Sequence, residues 1–211
     1  MCQVGLRHAV AGAGLAAVLA IAAAWLLPAA AQEASQVRVR GTIESVDGAV
    51  YTVKARDGAE LKITTAEKAN IAGLVKASLS DIKQNSFIGT TAMPQADGSL
   101  RALEVHIFPE AMRGTGEGHR PYDVHPQSTM TNATVDQVTG AVDGQTLTLK
   151  YKEGEKKIFV PETIPIVSYV PGDKNDLKPG AKVYIICVKQ PDGTLQARAW
   201  RVGRDGLTPP L

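Results

Sequence analysis

The amino-acid sequence predicts an all-β protein built from two copies of one five-stranded unit. Apolar and polar residues alternate with a period of two through most of the chain, which is typical of half-buried strands. Short motifs also recur, first at an offset of 96 residues and then at 95. With 44% hydrophobic and 21% charged residues, the composition indicates a folded globular chain.

The first 31 residues have the features of an export signal. Arg7 precedes an uncharged apolar run over residues 9–27, and Ala29, Ala30 and Ala31 fit a small-residue cleavage site. We therefore expect a signal peptide over residues 1–31 and a bacterial protein that is periplasmic or secreted, with no membrane contact after cleavage. The alternative is an uncleaved anchor, since the run approaches the roughly 20 residues that span a bilayer.

Charge and cysteine content limit the possible functions of the chain that follows the predicted signal peptide. The sequence has 23 Lys and Arg against 21 Asp and Glu, and Arg7 would leave with the signal. A nearly neutral chain argues against nucleic-acid binding, which normally shows a basic surplus. Cys187 would be the only cysteine left, so no internal disulfide is expected.

The first predicted unit covers residues 32–108. Alternation and the Asp57-Gly58 and Asp97-Gly98 turns predict five strands, near residues 37–44, 51–56, 61–63, 86–93 and 100–108. Between the third and fourth strands, residues 66–83 have a helix-compatible composition, and a short turn is expected over Leu79 to Lys83. The unit is therefore a three-stranded meander, a crossover and a hairpin.

The second predicted unit covers residues 132–211 and repeats this order. Its strands are expected near residues 133–142, 146–152, 156–161, 181–189 and 195–202. The crossover carries Pro165, Pro171 and Pro179, so a full helix is not expected there. A connector over residues 109–131 separates the units and has no counterpart in either.

This element order predicts two tandem five-stranded OB-like barrels, with a small twisted sandwich as the alternative. The repeated motifs are Asp81-Ile82-Lys83 with Asp176-Leu177-Lys178, and Asp97-Gly98-Ser99-Leu100 with Asp192-Gly193-Thr194-Leu195. A bacterial exported domain-of-unknown-function family is similar to most of both copies, and the second copy resembles it through Pro179-Gly180 after its motif, the strand at Val183-Tyr184-Ile185 and the Asp192-Gly193 turn. The first copy departs from it with Gln84-Asn85. The resemblance implies an exported protein with repeated OB-like barrels and no established activity.

The connector and the strand before it hold the residues that favour a metal site. Imidazole and thioether groups suit copper, and imidazole also suits zinc. The candidate ligands are His106, Met112, His119, His125 and Met130. Alternation places Leu103, Val105 and Ile107 in the core, so His106 is expected to point outward together with Glu104. The favoured interpretation is an ordered linker without metal, whose polar residues pack over the two units, because the histidine spacing matches no known metal motif; the metal site is the alternative.

The same connector could hold a small anionic ligand or a periplasmic protein partner in the groove between the two units. The residues that suit such a role are Arg113, Arg120, Tyr122 and Asp123. A connection of about 23 residues is often functional. The glycines at 114, 116 and 118 are interpreted as flexible backbone, because no Gly-Lys-Ser/Thr sequence follows them.

The strand at residues 181–189 is apolar on both faces. Cys187 shares the inner face with Val183 and Ile185, which predicts a buried, inert thiol rather than a reactive one. Tyr184 and Ile186 on the outer face predict packing against the other unit, the connector or a partner. Trp200 is expected in the core. The arginines at 198, 201 and 204 are expected on a solvated strand edge, with an anion site as the less favoured alternative.

The sequence contains no Ser/His/Asp, Cys/His or paired-carboxylate signature. The function it favours is therefore an exported, non-enzymatic binding or scaffolding protein that uses the connector and the groove and needs no cofactor. The alternative is a periplasmic copper-type metal-binding protein, and an enzyme of unrecognised type is the third class.

Overall fold

The structure is a computed structural model that describes residues 36–210; the predicted signal peptide, residues 1–31, lies outside the described residues. The strands are β1 (Gln36–Asp47), β2 (Val50–Ala55), β3 (Glu60–Lys76), β4 (Phe87–Pro94), β5 (Leu100–Ile107), β6 (Gly118–Pro121), β7 (Thr129–Ala141), β8 (Gly144–Tyr151), β9 (Gly154–Pro161), β10 (Ile166–Pro171), β11 (Lys182–Lys189) and β12 (Leu195–Gly203). Three short 3₁₀ turns cover Leu79–Asp81, Glu110–Met112 and Lys174–Asp176. The all-β prediction is confirmed. Within residues 36–210, no helix is long and apolar enough to cross a membrane.

The first crossover differs from the prediction, because most of it is strand rather than helix. β3 runs without a break to Lys76, and of the residues expected to favour a helix only Leu79–Asp81 form a 3₁₀ turn. The C-terminal part of β3 stays extended because it pairs with two strands, β10 and β12. The proline-rich second crossover contains β10 and the turn at Lys174–Asp176.

Five strands close into a barrel whose members come from both halves of the chain. β1 pairs antiparallel with β2 and with β11, β2 pairs with β3, and β11 pairs with β12. The parallel pairing of β12 with β3 closes the ring. The first barrel therefore takes its meander from the first half and its closing hairpin from the second.

The other hairpin is exchanged in the opposite direction. β4 of the β4–β5 hairpin pairs with β7, and β7, β8 and β9 form the second meander. β9 also pairs with β5, through two parallel residue pairs, Leu100 with Ile158 and Arg101 with Phe159. The expectation that each unit is completed by its own hairpin is wrong. β3 continues to Lys76, well beyond its pairing with β2, so the chain has left the first meander before β4 begins.

The two largest apolar cores show the same exchange. One contains Ile88 and Val105 from the first half together with Leu149 and Ile158 from the second. The other contains Ile43 and Ile63 together with Ile185 and Trp200. Trp200 is fully buried, as predicted.

The β-bulges support the predicted duplication. The bulge between Thr91 and Ala92 in β4 and the bulge between Ile186 and Cys187 in β11 lie 95 residues apart, which is the offset of the sequence motifs in this region. Bulges keep their position because they re-aim the strand that follows. The β4–β5 and β11–β12 hairpins are therefore equivalent elements that have changed places.

The connector is ordered and packs on both meanders. Its strand β6 pairs antiparallel with β7, with His119 opposite Thr131 and Arg120 opposite Met130. A third apolar cluster lies beneath it and includes Phe108, Met130, Tyr169 and Tyr184. The prediction that the outer face of β11 is covered is confirmed, because Tyr184 belongs to this cluster.

Candidate functional site

The candidate site is built around two residues at equivalent positions of the repeat. His106 lies on β5 and Arg201 lies 95 residues later on β12. Their exposed fractions are 3% and 8%, so both are buried. Both line one cavity beneath the connector. The exchange of hairpins therefore brings the equivalent positions of the two repeats to one place.

His106 and Glu104 were expected on the outward face of β5, opposite Val105; they lie on that face, but the structure buries it. Glu104 is 2% exposed, and the ring of His106 lies edge-on against Phe108 at 5.0 Å and Tyr169 at 5.6 Å between centroids. The outer face of β5 is covered because the rings of Phe108 and Tyr169 and the connector pack over His106. Strict alternation fails here because both faces of β5 are interior.

Glu104 fixes the orientation and tautomer of His106. Its Oε1 accepts hydrogen bonds from the backbone N–H and the hydroxyl of Thr91, each at 2.8 Å. Its Oε2 lies 3.1 Å from Nδ1 of His106. Because an ionised carboxylate only accepts, Nδ1 carries the proton and donates to Oε2. In the neutral ring, Nε2 is therefore the acceptor.

Gly89 leaves room for this nitrogen. A Cβ at Gly89 would stand 1.9 Å from Nε2 of His106 and 2.5 Å from Oδ1 of Asn132, so any side chain there would collide with both. Asn132 is 5% exposed, and its Oδ1 has no hydrogen-bond partner among the described residues. Its Nδ2 donates to the backbone oxygen of Thr115 at 3.0 Å. The amide is thus oriented with its oxygen toward the imidazole.

Arg201 supplies a buried positive charge. Its Nη1 donates to Oδ1 of Asn70 at 2.7 Å and to the backbone oxygen of Trp200 at 3.0 Å, and its guanidinium lies 5.3 Å from the ring centre of Tyr169. Within residues 36–210, no carboxylate oxygen lies within ion-pair distance of it. A buried cation without an anion is unfavourable, which points to a ligand of negative charge.

The cavity that these residues share has a volume of about 220 Å³ and opens to solvent. The cationic side chains Arg38, Arg120 and Arg201 line it together with His106, whereas no Asp or Glu of the described residues does so. Glu104 lies behind His106, where it faces Thr91 rather than the cavity. The net field inside the cavity therefore favours an anion.

Aromatic rings form the apolar wall of the cavity. Phe108 stacks on Tyr169 with centroids 5.0 Å apart, and the hydroxyls of Tyr122 and Tyr184 lie 2.9 Å from one another. Burial raises the pKa of Tyr122, and the neighbouring Tyr184 raises it further. Burial also raises the pKa of Tyr169 to about 12. Tyr122 and Tyr169 therefore stay neutral at physiological pH.

The connector forms the mouth of the cavity. Arg120 on β6 donates from Nη1 to the backbone oxygen of Gly116 at 2.8 Å and, like Arg201, has no ion-pair partner within residues 36–210. Thr115 and Gly116 line the cavity beside it, and the bond from Asn132 to Thr115 ties this loop to β7. The glycine-rich stretch thus has a defined place at the entrance.

The predicted site residues divide into those that line the cavity and those that do not. His106, Arg120, Tyr122 and Met130 line it. Met112 packs partly buried against the third apolar cluster. Arg113 donates to both carboxylate oxygens of Glu110 and to the backbone oxygen of Asn85, so it fastens the connector to the start of β4.

Asp123 also fastens the connector, in this case to the first barrel. Its Oδ1 accepts from Nη2 of Arg40 at 2.9 Å, and its Oδ2 lies 3.8 Å from Nη1 of Arg38. Burial opposes ionisation of Asp123, but the hydrogen bond and charge of Arg40 together hold its pKa below the usual value. It therefore orients one of the arginines that line the cavity.

His119 and His125 do not line the cavity. Nδ1 of His119 lies 2.8 Å from the hydroxyl of Thr131, and its ring stacks on Tyr151. Burial, with the charges of Lys156 and Arg120, lowers the pKa of His119. His125 is exposed and lies in the turn closed by Ser128.

Within residues 36–210, no group of three or more His, Cys, Asp or Glu residues is placed to hold a metal ion. The five residues predicted as ligands lie apart. His106 and Met130 line the cavity, and Met112 packs against the third apolar cluster. His119 lies on β6, and His125 lies in the turn that follows it. The copper or zinc interpretation stays a prediction.

Cys187 is fully buried, and burial raises the pKa of its thiol to about 12. This confirms the predicted buried thiol.

Sequence reasoning missed Arg38, Asn132, Tyr184 and Arg201 as members of a site. The one available signal was the apolar outer face of β11. In the structure, Tyr184 of that face is directly opposite Arg201 on β12. The expected solvated edge is therefore wrong for Arg201, whose face is covered, but right for Arg198, which is exposed.

Comparison of the chain with known protein families, with curated proteins and with solved structures finds no match.

Proposed function

We propose that the protein is an exported, non-enzymatic binding protein whose cavity takes a small anion. One observation carries this proposal: the buried guanidinium of Arg201 lines a cavity of about 220 Å³ and has no carboxylate partner in residues 36–210. Export is proposed from the signal-like residues 1–31 and from the resemblance to exported OB-like barrels.

Planar anions suit the side chains that line the cavity. A guanidinium presents a fixed fork of N–H groups that matches a carboxylate, and such charge-assisted bonds are about twice as strong as neutral ones. Arg120 and Arg201 enter the cavity from different elements, β6 and β12. They would therefore contact the ligand from separate sides and hold it in one orientation.

Calorimetric titration of the purified full-length protein with acetate, isobutyrate and lactate at low ionic strength tests the proposal. We expect one saturable site, because the attraction between a guanidinium and a carboxylate is stronger in a partly buried site than between the same groups in bulk water. In an Arg201→Gln variant, affinity should fall by about 10-fold to 100-fold, which corresponds to the 1.5–3 kcal/mol of a hydrogen bond to a charged group.

Arg198→Gln is the matched control, since it makes the same change on the same strand at an exposed position. It should leave the affinity unchanged. Arg120→Gln removes a half-buried arginine of the cavity and provides a second test if Arg201→Gln does not fold. Absence of saturable binding to all three carboxylates, or equal losses in all three variants, would contradict the proposal.

A further inference from the structure

The cavity contains hydrogen-bond acceptors as well as positive charge. Oδ1 of Asn132 is a buried acceptor with no partner in residues 36–210, since the amide donates through Nδ2 to Thr115. Nε2 of His106 lies beside it, and both atoms flank the position where a Cβ at Gly89 would stand. With Nδ1 committed to Glu104, Nε2 of the neutral ring also accepts. A bare carboxylate has no proton to offer to either atom.

We propose that the ligand is a small carboxylate that also carries a hydroxyl group, a proposal that rests on the proposed anion site. Its carboxylate binds the guanidinium groups of Arg201 and Arg120. Its hydroxyl donates toward Oδ1 of Asn132 or Nε2 of His106. A buried acceptor left without a donor is unfavourable, so the hydroxyl adds affinity that an apolar substituent cannot supply.

Charge selects a hydroxyl rather than an ammonium group as the donor. Three arginines line the cavity, and no carboxylate of the described residues does. An ammonium group placed among guanidinium groups would be repelled, whereas a hydroxyl donates without carrying charge. The proposed class is therefore hydroxycarboxylates, and a titration with alanine tests the amino-acid alternative.

Size and shape restrict the class further. A volume of about 220 Å³ is that of a small site, which suits a compact ligand. The stacked rings of Phe108 and Tyr169 offer an apolar surface for a short alkyl or aryl substituent. A compact hydroxy acid such as lactate fits these limits.

Lactate and isobutyrate form the decisive pair, because a methyl group in isobutyrate replaces the hydroxyl of lactate. In calorimetric titrations of the wild-type protein, lactate should bind about tenfold more tightly or better. Asn132→Ala should remove most of this preference, while Asn175→Ala, an exposed control, should keep it. Alanine, which carries an ammonium group in place of the hydroxyl, should bind more weakly than lactate.

Equal affinity for lactate and isobutyrate would overturn the hydroxyl proposal and leave the anion site standing. Tighter binding of alanine than of lactate would also overturn it. Failure of every carboxylate to bind would overturn both proposals together. The comparison in wild-type protein decides the question even if Asn132→Ala does not fold.

Discussion

A fragment that contains residues 36–108 is expected to form no stable monomeric barrel, although it includes all five strands of the first repeat. In the intact chain, β1 and β3 are paired with β11 and β12, which this fragment lacks. Its β4–β5 hairpin would also lose the apolar residues of β7, β8 and β9 that complete its core. A fragment with unpaired strand edges and only part of each apolar core is not expected to form a stable domain.

The complementary fragment, residues 109–211, should behave in the same way for the same reason. When the two fragments are mixed, the exchanged hairpins can find their native partners, so a 1:1 complex with the dispersed NMR spectrum of the intact protein is expected. A dispersed monomeric spectrum from the fragment of residues 36–108 alone would show that the hairpin can close on its own meander, against the observed pairing.

Glu104→Ala is expected to lower the free energy of unfolding by about 3–5 kcal/mol, because it leaves three buried donors unsatisfied at about 1–3 kcal/mol each. The substitution leaves the Thr91 N–H, the Thr91 hydroxyl and Nδ1 of His106 without their acceptor inside the protein. At about 2–4 °C per kcal/mol for a chain of this size, the melting temperature should fall by about 10 °C.

Denaturant titration and thermal melting measure this loss, and two further variants calibrate it. Glu104→Gln keeps an oxygen for Thr91 and should lose less than the alanine variant, since it removes the charge but not the side chain. Glu162→Ala, at an exposed position, should melt like the wild type. A Glu104→Ala protein with wild-type stability would contradict the assignment of a structural role to this carboxylate.

Alternation and Asp-Gly turns are local signals, and they were sufficient to predict ten of the twelve strands in residues 36–210; β6, β10 and the C-terminal part of β3 were not predicted. The sequence also revealed the duplication, which the equivalent bulges in β4 and β11 support. Which hairpin completes which meander is a non-local choice. Both hairpins carry nearly the same apolar pattern, so no local signal distinguishes the exchanged arrangement from the direct one.

The same lack of local signals explains why most of the site could not be predicted. His106 and Glu104 follow the pattern of an exposed strand face, and that face is interior only because Phe108, Tyr169 and the connector pack over it. Arg201 lies 95 residues from His106 in the chain, so their proximity depends on the exchange. Arg120 and Tyr122 could be predicted because they lie in the connector, the one stretch without a counterpart in the repeat.

The most direct test of the anion site is the NMR signal of the arginine Nε–H groups during titration with lactate. The signal of Arg201 should shift saturably, and that of Arg120 should follow it with the same midpoint, because both guanidinium groups line one cavity. The signal of the exposed Arg198 should stay in place. Small, non-saturating shifts of equal size at all three arginines would contradict a specific anion site at Arg201.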